Sequence, residues 1–225
     1  MNISHTKLID FHAHILPGMD HGCKNITECK KQLSLAISAG VSTVVATPHF
    51  YPHQHNVASF ISRRTEALDQ ISRLSQRPNI IPAAEVLYCK GLSDMPMLDS
   101  LTIGNTDCIL LEMPFSRWKG EYFEEINRLI NLRGYKVILA HVDRYSSPDI
   151  ETALNMGCLG QLNASAIKPI FNKIAYLHWI DRGKIVGLGS DIHGTYYGYK
   201  EYSRAVKALK SRTHGIMLNS RNVLL

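Results

Sequence analysis

Apolar runs of strand length alternate with longer segments of helical period from one end of the chain to the other. The strand candidates are LIDFHAHI from Leu8, VSTVVATPHF from Val41, NIIPAAEVLY from Asn79, CILLEMPF from Cys108, KVILAHV from Lys136, CLGQLNAS from Cys158 and KIVGLGSDIH from Lys184. Most are near-continuous apolar runs with β-branched content, the form taken by parallel strands covered on both faces. Helical patterning covers Thr27–Ala39, Val57–Ser75, Glu121–Arg133, Pro148–Met156, Lys168–Arg182 and Tyr202–Lys210. Gly40, Gly134, Gly157, Gly183 and Gly215 stand where helices end in a left-handed residue, and Ser147-Pro148 pairs a capping serine with a first-turn proline. Seven strands alternating with helices define the α/β class and a parallel sheet, either a barrel or open. No linker, repeat or low-complexity tract breaks the pattern. Cys89–Asp107 is its least regular stretch, and a single domain over residues 1–225 is expected.

Polar, metal-capable residues recur at the C-terminal ends of these runs, where parallel α/β folds place their active sites. His12 and His14 close the first run, with Asp20 in the loop beyond. His49 ends the second in TPHF, Glu85 lies near the end of the third, and Glu112 ends the fourth. His141 ends the fifth, and Asp191 with His193 the seventh. Residues i and i+2 of a strand share a face, so both imidazoles of His12-x-His14 reach one ion, and Asp191-x-His193 repeats the geometry. Imidazole with carboxylate suits Zn, Mn or Fe, and the lack of thiolate at these positions argues against a structural zinc cage. A tetrahedral ion takes four ligands, so nine candidates imply two or three ions sharing bridging groups. Singly, each has an ordinary explanation: a packed histidine, a glutamate paired with arginine, an aspartate capping a helix. Unpaired together, they would cost several kcal/mol each on burial, which bound metal offsets.

Composition adds bounds. The chain is 225 residues, 45% apolar and 20% charged, which excludes disordered, collagen-like and coiled-coil classes. Five cysteines, an odd number with no C-x-x-C pair, do not form a secreted disulfide framework. With no 18-residue apolar run and no secretory apolar region, a cytoplasmic protein is expected. The net charge of +6 favours acidic partners. The chain lacks a basic–aromatic strip for stacking bases, so no nucleic-acid partner is expected.

The string DFHAHILPGMDHG at Asp10–Gly22, followed in order by TPHF, AAEV, LEMP, AHVDRY and GSDIH, resembles the polymerase and histidinol phosphatase (PHP) superfamily. Within it, the chain is most similar to the bacterial manganese-dependent protein-tyrosine phosphatases of capsule and exopolysaccharide synthesis loci, from about Leu8 to the terminal NSRNVLL. The resemblance implies a distorted, seven-stranded, TIM-like parallel βα barrel with a trinuclear centre at the C-terminal ends of the strands. It assigns His12, His14, Glu85 and Asp191 to one ion, Glu85, Glu112 and His141 to a second, and Asp20, His49 and His193 to a third. Mn2+ is the implied ion, with Zn2+ or Fe as alternatives. Arg144, at the arginine of the family's A-H-x-E-R-Y motif, is implied to bind substrate phosphate, acting with Asp191 and His193. The implied reaction is hydrolysis of phosphotyrosine in a protein by metal-activated hydroxide, and the implied partner a bacterial tyrosine kinase of polysaccharide synthesis.

Three positions depart from the family pattern. His21 stands for the second Asp of Asp-Asp-Gly, and Asp143 for the usual Glu before Arg144. Gly198 stands where the family has a second phosphate-binding arginine, and the nearest cations, Lys200 and Arg204, are out of register. Rival readings are a PHP phosphatase acting on a small phosphomonoester such as histidinol phosphate, a metal-loaded scaffold that binds a phosphorylated partner without turnover, and, ranked lower, a phosphodiesterase. An amidohydrolase shares the H-x-H start, but its bridging lysine has no counterpart here. No cysteine is followed by arginine at the C-x5-R spacing, which excludes a thiolate phosphatase. Tyr196, Tyr197, Tyr199 and Tyr202 are read as half-buried on a loop and helix, the alternative being an aromatic lip for a phosphotyrosine ring. Arg63-Arg64 and the basic run Lys207–Arg212 are read as solvated helix faces.

Overall fold

Every expected strand forms, and two of them are bent. The computed structural model describes residues 7–167, 173–194 and 198–225. In chain order the strands are β1 (Leu8–Ala13), β2 (Val41–Ala46), β3 (His49–Phe50), β4 (Asn79–Pro82), β5 (Glu85–Leu87), β6 (Cys108–Glu112), β7 (Lys136–Leu139), β8 (Leu159–Asn163) and β9 (Ile185–Gly189). All their pairings are parallel, in one sheet ordered β1-β2-β4 and another ordered β3-β5-β6-β7-β8-β9. The described residues thus hold nine strands instead of the seven expected. Thr47-Pro48 splits the second run into β2 and β3, and Ala83-Ala84 splits the third into β4 and β5. Pro48 has no N–H to donate. Hydrogen bonds nevertheless cross both breaks, from the Thr47 amide to Ala13 O (3.0 Å), Ala83 to Ala46 O (2.9 Å) and Glu85 to Pro48 O (3.0 Å). The breaks are bends in one curled wall.

The wall curls until its last strand lies beside its first. The Asp191 amide donates to His12 O (2.8 Å), and Asp10 Oδ1 accepts from the Ser190 amide (2.8 Å) and the His12 amide (3.3 Å). Glycine permits this approach: a Cβ on Gly187 would sit 2.5 Å from the Phe11 ring, and one on Gly189 2.6 Å from His12 Cβ.

Helices α1 (Ile26–Ser38), α2 (Val57–Ser72), α3 (Gly120–Asn127), α4 (Ser147–Asn155), α5 (Lys173–Asp181), α6 (Gly198–Leu209) and α7 (Ser211–Leu224) pack outside. The expected stretches match α1, α2, α4 and α6 to within a few residues. A π-helical turn, Arg128–Leu132, extends α3. Residues 168–172, expected to open α5, lie outside those described. Helix α7 was not expected, and Gly215 lies within it instead of ending a helix. Its buried residues, Thr213, Ile216, Met217, Ser220 and Val223, recur at helical spacing and dock on β9, with Ser220 Oγ donating to Val186 O (2.6 Å). Tertiary burial overrides the weak local propensity. The irregular Cys89–Asp107 segment is also held firmly: Leu92, Leu98, Leu101 and Ile103 are fully buried, and the Glu125 carboxylate accepts from the Gly91 and Ser93 amides.

Of the arginine pair on α2, Arg63 is exposed as expected and Arg64 is partly buried, and both guanidinium groups bind backbone. Arg63 donates to Gly18 O (2.8 Å) and Met19 O (3.0 Å), while Arg64 donates to Ala83 O and Ser100 O (both 2.9 Å). Guanidinium groups supply the donors that these bent backbone segments cannot find in a ladder. Tyr199 and Tyr202 are almost fully buried, deeper than the half-buried placement expected and unlike the alternative lip, and Tyr196 and Tyr197 lie outside the described residues.

Because β9 closes on Phe11, Gly187→Ala should lower stability by about 1–3 kcal/mol, the usual cost of overpacking. The midpoint of denaturant unfolding measures this; an unchanged midpoint would show that the seam has slack.

Candidate metal centre

The ends of the strands converge on Glu85. Parallel pairing sets His49 of β3 directly beside Glu85 of β5, and Glu112 ends β6, the next strand. Glu85 is buried, and its Oε2 lies 2.8 Å from His49 Nδ1 and 3.3 Å from both His12 Nε2 and His14 Nε2. Its Oε1 lies 2.9 Å from His141 Nε2, which is also 3.6 Å from Glu112 Oε1. His12 Nε2 and His14 Nε2 are 3.1 Å apart, and Asp191 Oδ1 stands 3.5 Å from His14 Nε2 and 3.8 Å from His12 Nε2. His193 stacks on His14 with ring centres 4.1 Å apart. The eight residues expected at the strand ends are therefore brought into one cluster or held against it, and Asp20, expected in the loop beyond the first, joins them through His14.

The donor atoms fit divalent ions. Glu85 Oε2 and His49 Nδ1 are buried and close, yet neither makes a hydrogen bond with any of the described residues. Buried polar atoms normally have partners, and lone pairs aimed at a common point are what an ion requires. Three sets of donor atoms each lie within 4.8 Å of one another: His14, His49 and His193; His12, His14 and Glu85; and His49, Glu85 and Glu112. The first set is all imidazole and the other two combine imidazole with carboxylate, a mixture suited to Zn, Mn or Fe.

Asp20 sits at the edge with another task. Its Oδ2 accepts from His14 Nδ1 (2.7 Å) and the His49 amide (3.0 Å), and its Oδ1 from the Gly22 amide (2.9 Å). A carboxylate offers about four lone-pair sites, so these three donors leave one for an ion. The bond to Nδ1 also turns the Nε2 lone pair of His14 toward Glu85, the usual way an outer carboxylate orients a ligand histidine.

Residues overlooked in the sequence hold the rest. Gln161 Oε1 accepts from the His141 amide (2.7 Å), which fixes it as an acceptor. His12 Nδ1, 2.9 Å away, is then the donor, and its Nε2 lone pair faces the cluster. Gln161 Nε2 donates to Asn163 Oδ1 (3.0 Å), and Asn163 Nδ2 to Asp191 Oδ2 (3.0 Å). Gln161-x-Asn163 is the same i, i+2 signal as His12-x-His14, on the one strand end not credited with site residues. On α1, Gln32 Nε2 bridges Gly22 O (3.0 Å) and Gly194 O (2.9 Å), joining the loops of Asp20 and His193. His21, replacing the family's aspartate, stacks on the rings of His193 (4.5 Å) and His49 (5.1 Å).

Arg144 lies at the mouth, half-exposed, with its guanidinium paired to Asp191 Oδ2. Asp143, beside it, accepts the Asn163 amide (2.9 Å). The second arginine of the family pattern has no room: a Cβ on Gly198 would lie 2.8 Å from Ile192 Cβ. Lys200 and Arg204 are exposed on α6. His141 and Asp191 have left-handed backbones, φ +31° and +48°. Such strain, of order 1–3 kcal/mol per residue, gathers where a side chain must be aimed.

Electrostatics follow from the crowding. Burial opposes charge on His14, but Asp20 and Glu85 outweigh it and lift the imidazole to about 10. Burial opposes charge on His141 too, and Glu112 and Glu85 lift it to about 9. Burial and the charge of His14 push His193 down to about 4. Glu85 and Asp191 stay below the usual carboxylate range despite their burial, because His12 and His14 face both.

A parallel βα wall with carboxylates and imidazoles gathered at its C-terminal rim defines a metallohydrolase type of site. Residues 8–218 match the family described as capsular polysaccharide synthesis, CpsB/CapC, and the chain belongs to that family. The chain is 27% identical to the tyrosine-protein phosphatase YwqE of Bacillus subtilis strain 168, over 83% of this chain and 77% of that protein. It is 25% identical to the tyrosine-protein phosphatase CpsB of Streptococcus agalactiae serotype III, over 83% of each. Among solved structures, one described with YwqE of B. subtilis and CpsB of Streptococcus pneumoniae as unique metal-dependent tyrosine phosphatases shares the fold, with a TM-score of 0.78 and 20% identity over 96% of this chain and 94% of that one. Among the described residues no helix is long and apolar enough to cross a membrane.

A ligand imidazole must be neutral at its donor nitrogen, so loading the centre at pH 7 should release about two protons, from His14 and His141. Calorimetric titration with a divalent ion in buffers of different ionisation enthalpy counts them. The count should fall toward zero as pH rises past 10, and none at pH 7 would contradict these charge states.

Proposed function

We propose that this protein is a metal-dependent protein-tyrosine phosphatase, acting in the cytoplasm on phosphotyrosine in a protein of capsule or exopolysaccharide synthesis, such as a tyrosine kinase. The observation that carries the reading is Glu85: a buried carboxylate faced by four imidazoles with one oxygen that makes no hydrogen bond, in a cluster whose Asp191 pairs with a half-exposed arginine. The family membership and the tyrosine-phosphatase relatives support the same activity.

His12, His14, Glu85 and Asp191 would hold one ion, Glu85, Glu112 and His141 a second, and Asp20, His49 and His193 a third, with manganese as the ion in this reading. Bound ions of this kind neutralise phosphoryl oxygens and lower the pKa of water from 15.7 to about 7. Phosphoryl transfer needs little covalent help from a protein beyond positioning and charge. Arg144 provides a planar fork whose donors exceed its one bond to Asp191, leaving others for phosphate oxygens. Asp191 and Asn163 aim that fork, and Asp20 and Gln161 keep His14 and His12 turned inward. The five thiols are unpaired, and none belongs to the donor sets.

A panel of phosphotyrosine peptide, p-nitrophenyl phosphate, histidinol phosphate and bis-p-nitrophenyl phosphate, each with added Mn2+, tests the reading. Preference for the diester or for histidinol phosphate would overturn it. Asp191→Asn, which tolerates the left-handed backbone, should cut kcat/KM at least about a hundredfold and lower the bound metal, with the fold kept. Turnover equal to wild type would refute the metal mechanism. Arg144→Ala should reduce kcat/KM about ten- to a hundredfold, the worth of a hydrogen bond to a charged group, with metal content unchanged. An unaltered value would remove the arginine from the phosphate site.

A further inference from the structure

We propose that Phe115 is the platform on which the aromatic ring of the substrate stacks, and that it sets the preference for phosphotyrosine over alkyl phosphates. This rests on the phosphatase reading and deepens it. Phe115 is 63% exposed, among the most exposed large apolar side chains of the described residues, and it stands beside His141 of the donor cluster. Its ring lies 5.9 Å from the His141 ring and 5.8 Å from Tyr145, tilted 26° from each. His141 reaches inward to Glu85, so Phe115 continues outward from the donor cluster in one near-parallel ladder of rings.

The segment bearing Phe115 is braced. Tyr145 OH accepts from the Met113 amide (3.0 Å), and Trp118 Nε1 donates to Pro114 O (3.1 Å). Trp118 is buried, meets Tyr145 edge-on at 5.3 Å, and its amide donates to Asp149 (3.3 Å). An exposed aromatic held on such a brace loses little freedom when a second ring covers it, so most of the stacking energy appears as affinity. A phosphotyrosine whose phosphate meets Arg144 and the donor cluster carries its ring outward, toward this face. Phosphoserine offers only a methylene there. An aromatic lip of tyrosines after Asp191 is the alternative reading of the sequence; Tyr199 and Tyr202 are buried and cannot supply it, whereas Phe115 is exposed.

The test measures binding of two non-hydrolysable peptides of one sequence to Mn-loaded protein, one carrying phosphonomethylphenylalanine and the other an alkyl phosphonate. Wild type should prefer the aryl phosphonate, and Phe115→Ala should weaken that peptide about five- to tenfold while leaving the alkyl one unchanged. Phe115→Trp should keep the preference. Equal weakening of both peptides, or an unchanged ratio in Phe115→Ala, overturns the proposal. Turnover of the matching phosphotyrosine peptide by wild type, measured alongside, reports on the phosphatase reading by itself.

Discussion

A carboxylate buried away from solvent is the constraint around which this molecule is arranged. Glu85 is buried just past a bend, at the start of β5, where desolvation alone would drive it neutral, and imidazoles carried at the ends of β1, β3 and β7 keep it ionised. The arrangement leaves Oε2 with close neighbours and no hydrogen bond, a condition that a packed core does not tolerate unless a cation completes it. The bends at Thr47-Pro48 and Ala83-Ala84 carry His49 and Glu85 inward as a registered pair. The left-handed backbones at His141 and Asp191 turn their side chains to meet them. Strain and burial that look costly residue by residue serve a single charge.

Around that charge stands a shell of neutral amides. Gln161 binds the His12 ring and the His141 backbone with one oxygen, and Asn163 passes the connection to Asp191. Gln32 and Arg63 do similar work on the β1–α1 loop from behind, holding Gly22, Gly18 and Met19 so that Asp20 can orient His14. Side chains aimed by such bonds need little reorganisation when ligand binds, the condition under which electrostatic stabilisation is most effective.

Much of this was legible in the chain because two periodicities coincide. Apolar runs mark the strands, and metal-capable residues at or just beyond the ends of six of the seven runs mark the rim, so the nine candidate donors can be named from the sequence. What escaped notice has physical reasons. The bends depend on Pro48 and on an Ala83-Ala84 pair that reads as ordinary strand. Helix α7 draws its stability from burial against β9, which a window containing Gly215 does not reveal. Gln161 and Asn163 carried the right spacing but are not ligand types, and Phe115 looked like one more apolar residue after a strand. Positioning groups are harder to see than donors, since amides and aromatics serve everywhere in proteins.

Gly198 has a last consequence. Helix α6 begins so close to Ile192 that no side chain fits at Gly198 without a shift, and among the described residues Arg144 is the guanidinium paired to the cluster. In the phosphatase reading, phosphate is then gripped by Arg144 and by whatever ions the cluster holds, with no second arginine to carry the load when an ion leaves. Ion occupancy and phosphate affinity become linked quantities, and linkage is reciprocal: each strengthens the other by the same factor. An enzyme built this way responds to its supply of metal through its grip on substrate as well as through the rate of its chemistry.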